Sequence, residues 1–438
     1  MNPTNPITRL KAWRDQNPFV KGVVEIAGGT WMGHAVTLLG APILSRIYGP
    51  ESFGRFQIYL SFLMVLSVIL ALRYEMAILL PEDDEGGFRL VVLGLMVSTI
   101  AGIGCLALMA SLFALKGWPS ILQPLGWGAF LIPVGAMLAS IYQVLTFWAI
   151  RKSSFRSVSL SKLCQASSQV GGQVVGGFTS IPGHAGLMLG DCIGRIGALV
   201  PLLREFNRDL DRFTGRWSLA SVLQVARRYR RFPLISAWGA LINSLGLTVP
   251  SIMLLHQLGA DVLGWYALAD RVVGLPSVLL GQSVSQVFMG EAGRLSTGDP
   301  RRMLALYRGL LKKLMLIGLV PAAVLLIGGP WVFRFVFGPH WGPAGQMARI
   351  LALNHYLAFI AWPLIPTLTV LERQDLQTAW DVGRLAFIVA ALAASQAMGL
   401  GMPGTIGMLS TAGALSYLTH VFITHQLLTL RAANYEKV

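Results

Sequence analysis

Apolar runs long enough to cross a lipid bilayer recur along this chain of 438 residues. Residues 56–72, 90–115, 314–336 and 385–400 each approach the ~20 residues that span hydrocarbon as an α-helix. Inside a bilayer every backbone N–H and C=O needs a partner within the protein, so only helices and closed barrels cross it. Barrel strands would show ~10-residue segments of alternating polarity, and these runs are continuous. Charge agrees: charged residues make up 13% of the chain and hydrophobic ones 54%, against the ~25% charge of a soluble domain. The chain reads as an all-α polytopic membrane protein.

Twelve spans are expected, near residues 23–45, 54–79, 88–114, 125–149, 158–180, 183–203, 233–255, 262–289, 309–337, 344–370, 379–399 and 404–429. The distribution of lysine and arginine tests that count. One set of span ends carries Arg9, Lys11, Arg14 and Lys21, then Arg151, Lys152, Arg156 and Lys162. The same side takes the arginine-rich segment 204–231, then Arg294, Arg301, Arg302, Lys312 and Lys313, and last Arg431 and Lys437. The opposite ends hold little beyond Arg46, Arg55 and Lys116, with Arg334 and Arg349 near the edge. Positive charge gathers on the cytoplasmic side, so both termini are expected in the cytoplasm. The net charge of +15 thus reads as topology and attraction to anionic membrane lipids, not as a nucleic-acid surface.

A repeat organises the spans. Gly49-Pro50-Glu51-Ser52-Phe53-Gly54-Arg55-Phe56 and Gly259-Ala260-Asp261-Val262-Leu263-Gly264-Trp265-Tyr266 share one pattern: glycine, small residue, acid, any residue, apolar residue, glycine, any residue, aromatic. Each copy lies between two long apolar runs, the first of which holds a proline, Pro42 or Pro250. Two such copies argue for a duplicated unit. The expected organisation is a cytoplasmic tail (1–22), an N-terminal lobe of six helices (23–203), a basic cytoplasmic linker (204–232), a C-terminal lobe of six helices (233–430) and a second tail (431–438). Both halves start on the same side, so they are related by an axis along the membrane normal, an arrangement found in transporters.

Chemistry for catalysis is missing. No Walker A loop, His-Glu-x-x-His or Gly-x-Ser-x-Gly occurs, and Cys105, Cys164 and Cys192 lack the spacing of a disulfide framework or zinc site. The acidic cluster 82–85 is expected to be a solvated loop.

The informative residues are the ionisable ones inside spans, where each costs about 2.5–3.5 kcal/mol on insertion scales and faces a partner or a wet cavity. Arg73 and Glu75, two apart, are not expected to share a helix face, which leaves Arg73 as a cavity candidate. Asp191 and Arg195 stand at i, i+4 and either neutralise each other or face the cavity. Asp270 and Arg271 point ~100° apart on a helix, so at least one looks into an interior space. Asp381 and Arg384 are expected to pair. Gln165, Gln169 and Gln173 form, with Ser161 and Ser168, a polar stripe on the fifth helix, and Gln282 has a like place on the eighth. These glutamines suit either a sugar-facing wall or interhelical hydrogen bonds. Pro42, Pro133, Pro250, Pro276, Pro321 and Pro363 are expected to kink helices.

Residues 46–54 joined to Leu72-Arg73-Tyr74-Glu75-Met76-Ala77-Ile78-Leu79-Leu80-Pro81 give the chain a likeness. Together with Phe232-Pro233-Leu234-Ile235-Ser236, Tyr266-Ala267-Leu268-Ala269-Asp270-Arg271, residues 281–288 and Phe337-Gly338-Pro339-His340-Trp341, they make it resemble the Wzx-type oligosaccharide flippases. These belong to the multidrug/oligosaccharidyl-lipid/polysaccharide exporter superfamily. The resemblance implies a V-shaped pair of six-helix lobes around a cationic central cavity. It also implies passage of undecaprenyl-diphosphate-linked oligosaccharide across the bacterial inner membrane, with a polysaccharide polymerase and a chain-length regulator as partners. The Asp270-Arg271 step is similar to one in flippases of lipid-linked peptidoglycan precursors, which implies a cavity role for Arg271. Arg73 and Arg195 join it as substrate-binding candidates on the cost of burial alone. No cofactor is expected beyond a coupling cation, H+ or Na+, for which Glu25, Asp191 and Asp270 are the candidates. A drug/cation antiporter of the same superfamily would show a carboxylate-dominated cavity. A membrane glycan polymerase or ligase would need a long extracytoplasmic loop, and every outer loop here is short.

Overall fold

Proline and glycine divide the apolar sequence into rods. The computed structural model describes residues 18–179, 183–213 and 218–435, leaving aside the side chains of residues 18–24, 211, 235, 243, 282, 283, 286 and 296–298. The expected tail 1–22 up to residue 17, and residues 436–438 of the second tail, lie outside the described residues.

The first half runs through α1 (Pro18–Ile47), α2 (Pro50–Ala71), the single turn α3 (Tyr74–Ala77), α4 (Asp84–Lys116), α5 (Leu131–Arg151), α6 (Phe155–Gly177), α7 (Gly183–Phe213) and α8 (Leu219–Arg228). The second half runs through α9 (Ala237–Gly298), α10 (Pro300–Phe337), α11 (Gly342–Ala361), the short α12 (Thr367–Val370), α13 (Gln374–Ala397) and α14 (Met402–Tyr435). Helix α9 is broken at Gly259, whose φ of 85° stops the helical path in a region that favours glycine. The long helices, with α9 counted as two, make the expected twelve rods among the described residues. Among the described residues, nine stretches are long and apolar enough to cross a membrane. Helix α6 is absent from them because serines and glutamines dilute it.

Outward faces are apolar, as lipid demands. On α10, Leu316, Ile317, Val320, Ile327, Trp331 and Phe335 are exposed, the pattern of a helix solvated by hydrocarbon rather than water. Two expected kinks are replaced by helix ends: Pro133 sits in the first turn of α5, and Pro363 in a 3-10 turn, Trp362–Leu364, after α11. Both places suit a residue without an N–H.

The chain divides into two compact units, residues 1–48 with 55–248, and residues 49–54 with 249–438. In the first unit α6 and α7 meet along glycines. A Cβ on Gly172 would press on the Cα of Gly190 at 3.1 Å, and one on Gly176 on the Cα of Gly186 at 3.0 Å. Such small-residue seams let backbones approach closely in membranes. Phe88, Trp148, Phe206 and Phe213 close one end, with ring centroids 4.8–6.1 Å apart. The acidic cluster lies at that end and is not a free solvated loop. Asp83 caps α4 by accepting from Gly86 N at 2.9 Å, while Asp84 pairs with Arg151 at 3.2 Å and Lys152 at 2.5 Å. The Arg151 guanidinium also donates to the carbonyls of Ile78, Pro81 and Asp83.

The repeat found in the sequence closes on itself in the second unit. A Cβ on Gly54 would overlap the carbonyl of Ala260, and a Cβ on Gly264 would overlap the carbonyl of Pro50. Each would also stand 3.0 Å from the other glycine's amide nitrogen. The sixth residue of each copy thus rests on the second residue of the other, a local two-fold relation between the repeats. Only glycine fits either place, because the obstacle is backbone.

Candidate functional site

The polar stripe of α6 faces a cavity in the first unit. Lys162, Gln165, Ala166 and Gln169 come from α6, Thr30, Gly33, His34 and Thr37 from α1, and Tyr142 from α5, around about 330 Å³. Spacings of three and four put Lys162, Gln165 and Gln169 on one side of a helix, and α1 lies along that side because glycines admit it. A Cβ on Gly33 would meet the Lys162 carbonyl at 3.2 Å, and one on Gly29 would overlap Ser159.

Lys162 is the cavity's cation. Its Nζ donates to Thr30 Oγ1 at 2.6 Å, and it has no carboxylate within ion-pair distance among the described residues. The Thr30 hydroxyl in turn donates to the Ile26 carbonyl at 2.8 Å, and Thr37 to Gly33 at 3.0 Å. Their own hydrogens are therefore turned back to α1, and only lone pairs face inward. No aspartate or glutamate lines the cavity. The combination is one ammonium with the His34 imidazole, amides and hydroxyl oxygens, at the lower end of the ~300–1,000 Å³ typical of ligand pockets. A slightly larger recess, about 380 Å³, lies beside the start of α4. Glu82 and Asp83 oppose Arg89 and Arg228 there, so its charges cancel, and the Lys162 cavity is the better candidate.

The arginines expected in the cavity are held elsewhere. Arg195 Nε donates to Asp191 Oδ2 at 2.7 Å, and Tyr59 donates to the same oxygen at 3.1 Å. Asp191 is 3% exposed; the i, i+4 pair is closed on itself. Arg73 pairs with Glu75 at 3.4 Å, which corrects the expectation that residues two apart cannot meet. The reason is local: Leu72 and Arg73 have φ of 47° and 60°, so the helix breaks between α2 and α3 and the helical spacing rule does not apply. Arg271 is half-buried on α9 and engaged with its surroundings.

Of the glutamines, Gln165 and Gln169 line the cavity, whereas Gln173 turns to α7. It is 3% exposed and donates from Nε2 to the Leu187 carbonyl at 3.1 Å, so it makes the interhelical bond rather than a sugar-facing wall. The Gln282 side chain lies outside the described residues. Glu25 is half-buried on α1. Asp270 meets a residue not singled out in the sequence, His355 of α11, at 3.2 Å. Asp381 and Arg384 do not pair: Asp381 accepts from Gln377 at 3.2 Å, and the Arg384 guanidinium lies over the Trp380 ring, 5.3 Å from its centre. An arginine this close to an aromatic face gains a cation–π contact in place of the ion pair.

Comparison with known proteins agrees with this architecture. The structure is similar to an inward-facing multidrug resistance MATE family transporter of the MOP superfamily, with a TM-score of 0.71, 14% identity, and coverage of 93% of this chain and 98% of that one. The chain is thus a multi-pass helical membrane protein with the fold of the MOP transporters.

Within that class its relatives are proteins of polysaccharide biosynthesis. Residues 210–346 match a family model described as polysaccharide biosynthesis protein. The chain is 23% identical over 357 residues to the succinoglycan biosynthesis transport protein ExoT of Rhizobium meliloti, covering 80% of this chain and 69% of that protein. It is 24% identical over 213 residues to the lipopolysaccharide biosynthesis protein WzxC of Escherichia coli, covering 47% and 40%. The resemblance to Wzx-type flippases read in the sequence is borne out by these relatives.

Proposed function

We propose that this protein is a flippase that moves undecaprenyl-diphosphate-linked oligosaccharide across the bacterial inner membrane during surface polysaccharide synthesis. In this reading both termini lie in the cytoplasm, and the Lys162 cavity takes the polar headgroup. The observation that carries the reading is Lys162, a cation that lines the cavity and whose hydrogen-bond partner among the described residues is the neutral Thr30 hydroxyl. An unneutralised ammonium within a span is costly and marks a substrate path. A diphosphate supplies the missing anion, and lysine binds phosphate as a point charge. Gln165, Gln169, Thr30 and Thr37 offer amides and hydroxyl oxygens to sugar hydroxyls, which need both donors and acceptors. The lipid tail stays in hydrocarbon while the headgroup site is exposed alternately to the two faces of the membrane. Arg271, on the strength of the family resemblance, is a candidate phosphate contact of the second unit. A polysaccharide polymerase and a chain-length regulator are the partners this role calls for.

Deleting the gene and measuring lipid-linked intermediates by mass spectrometry tests the reading. Undecaprenyl-linked repeat units should accumulate, the wild-type gene should clear them, and Lys162→Ala should not. Altered drug sensitivity with an unchanged glycan pool would favour the drug/cation antiporter instead. The absence of any carboxylate from the cavity argues against that alternative, because a cationic drug needs an anionic wall.

A further inference from the structure

We propose that Asp270 and His355 together bind one exchangeable proton in the second unit, and that this proton is the ion coupled to transport; the coupling rests on the flippase reading, the proton site does not. Asp270, on α9, has half of its side chain open, whereas His355, on α11, is 10% exposed; the carboxylate Oδ1 and the imidazole Nε2 stand 3.2 Å apart. The other ring nitrogen fixes the tautomer. His355 Nδ1 lies 3.1 Å from the Leu351 carbonyl, an oxygen that only accepts, so Nδ1 carries a hydrogen. Nε2 and Oδ1 are then two acceptors face to face unless one proton lies between them. With that proton the pair is neutral overall, as carboxylate and imidazolium or as acid and imidazole. Without it the pair carries one negative charge, and the apolar side chains of Val273, Pro276, Pro321, Ala352 and Phe359 line a recess with His355.

The neighbours leave this proton to the pair. Tyr266, on α9, and Tyr417, on α14, are within electrostatic reach of Asp270, but tyrosine ionises near pH ~10. Arg384 and Asp381, on α13, face Tyr417. Arg384 stays charged throughout, and Asp381 is held by Gln377. Tyr356, on α11, donates to the Met315 carbonyl at 3.2 Å, and Arg271, the next residue on α9, has an interaction of its own. Helix α10 contributes Gly318, Pro321, Ala322 and Leu325, none of them ionisable. Sodium is a poor fit, because a hard cation wants several oxygen ligands and here an imidazole occupies the carboxylate's near side. Loss of the proton leaves the pair with a net negative charge at the mouth of an apolar recess, so protonation and the accessibility of Asp270 are linked.

The test uses purified full-length protein with labelled histidine, followed by NMR across pH, the His355 signal being assigned by its loss in His355→Asn. Asp270→Asn should lower the proton affinity of the His355 imidazole at least tenfold. An unmoved His355 titration overturns the site. In cells lacking the gene, wild-type export of surface polysaccharide should be abolished by a protonophore, and Asp270→Asn and His355→Asn should each reduce export at least tenfold. Normal, protonophore-sensitive export by both variants overturns the coupling and leaves the flippase reading intact. If the wild-type gene restores no glycan export, the flippase reading fails, and the NMR titration alone decides whether the pair binds its proton.

Discussion

The two units treat one acid each in opposite ways. In the first, Asp191 is sealed between Arg195 and Tyr59 on a permanent cation and a hydroxyl. In the second, Asp270 is half open and its partner is a histidine, whose charge changes between pH ~5 and ~8. Among the described residues Lys162 of the first unit has no carboxylate within ion-pair distance and donates to a hydroxyl; Asp270 of the second has an imidazole as its ion-pair partner. An ion pair within one helix holds structure together, and an ion facing a neutral or titratable partner is available for work. The difference separates scaffold from site more reliably than burial does, since Arg195 and Lys162 are both half-buried and only Arg195 is scaffold.

The largest effect expected from this comparison is on stability. Arg195→Ala leaves Asp191 as a lone buried carboxylate, and breaking such a pair costs about 3–5 kcal/mol. A marked fall in the melting temperature of the purified protein should follow, with Lys162→Ala close to wild type. Equal destabilisation by the two variants would erase the distinction.

Next comes the repeat contact of the second unit. Gly264→Ala puts a methyl group on the Pro50 carbonyl and should destabilise by about 1–3 kcal/mol, the range of overpacked cores. Gly239→Ala, with open space around its Cβ, should be neutral or mildly stabilising in the same melting assay.

The smallest contrast lies within one helix. Gln173→Ala removes the bond to the Leu187 carbonyl and should cost about 1–3 kcal/mol of stability, whereas Gln169→Ala should leave stability alone and slow glycan export. Reversal of the two phenotypes would put the sugar-facing wall on the α7 side.

The sequence made the architecture readable and the site only in part. Continuous apolar runs, and cations gathered at alternate span ends, were enough for the twelve rods. The glycine repeat was visible because backbone contact tolerates no substitute for glycine; its reciprocal seating, Gly54 on Ala260 and Gly264 on Pro50, was not, since spacing along a chain carries no information about which copies meet. Near a span end, Lys162 reads in the sequence as one more cytoplasmic charge. The signal that would have recovered it is its place on the stripe of Gln165 and Gln169. His355 carried no signal: its partner lies on another helix, and no local pattern links the two. Arg73 misled for the opposite reason, since the rule that separates residues two apart assumes an unbroken helix, and here the helix is broken.

Binding of undecaprenyl diphosphate to the purified protein, followed by native mass spectrometry, tests the central claim that Lys162 is the headgroup's cation. Wild type should hold the lipid, Lys162→Arg should keep most of that binding, and Lys162→Ala should lose at least tenfold in affinity while melting like wild type. Undiminished binding by a folded Lys162→Ala protein would contradict the account.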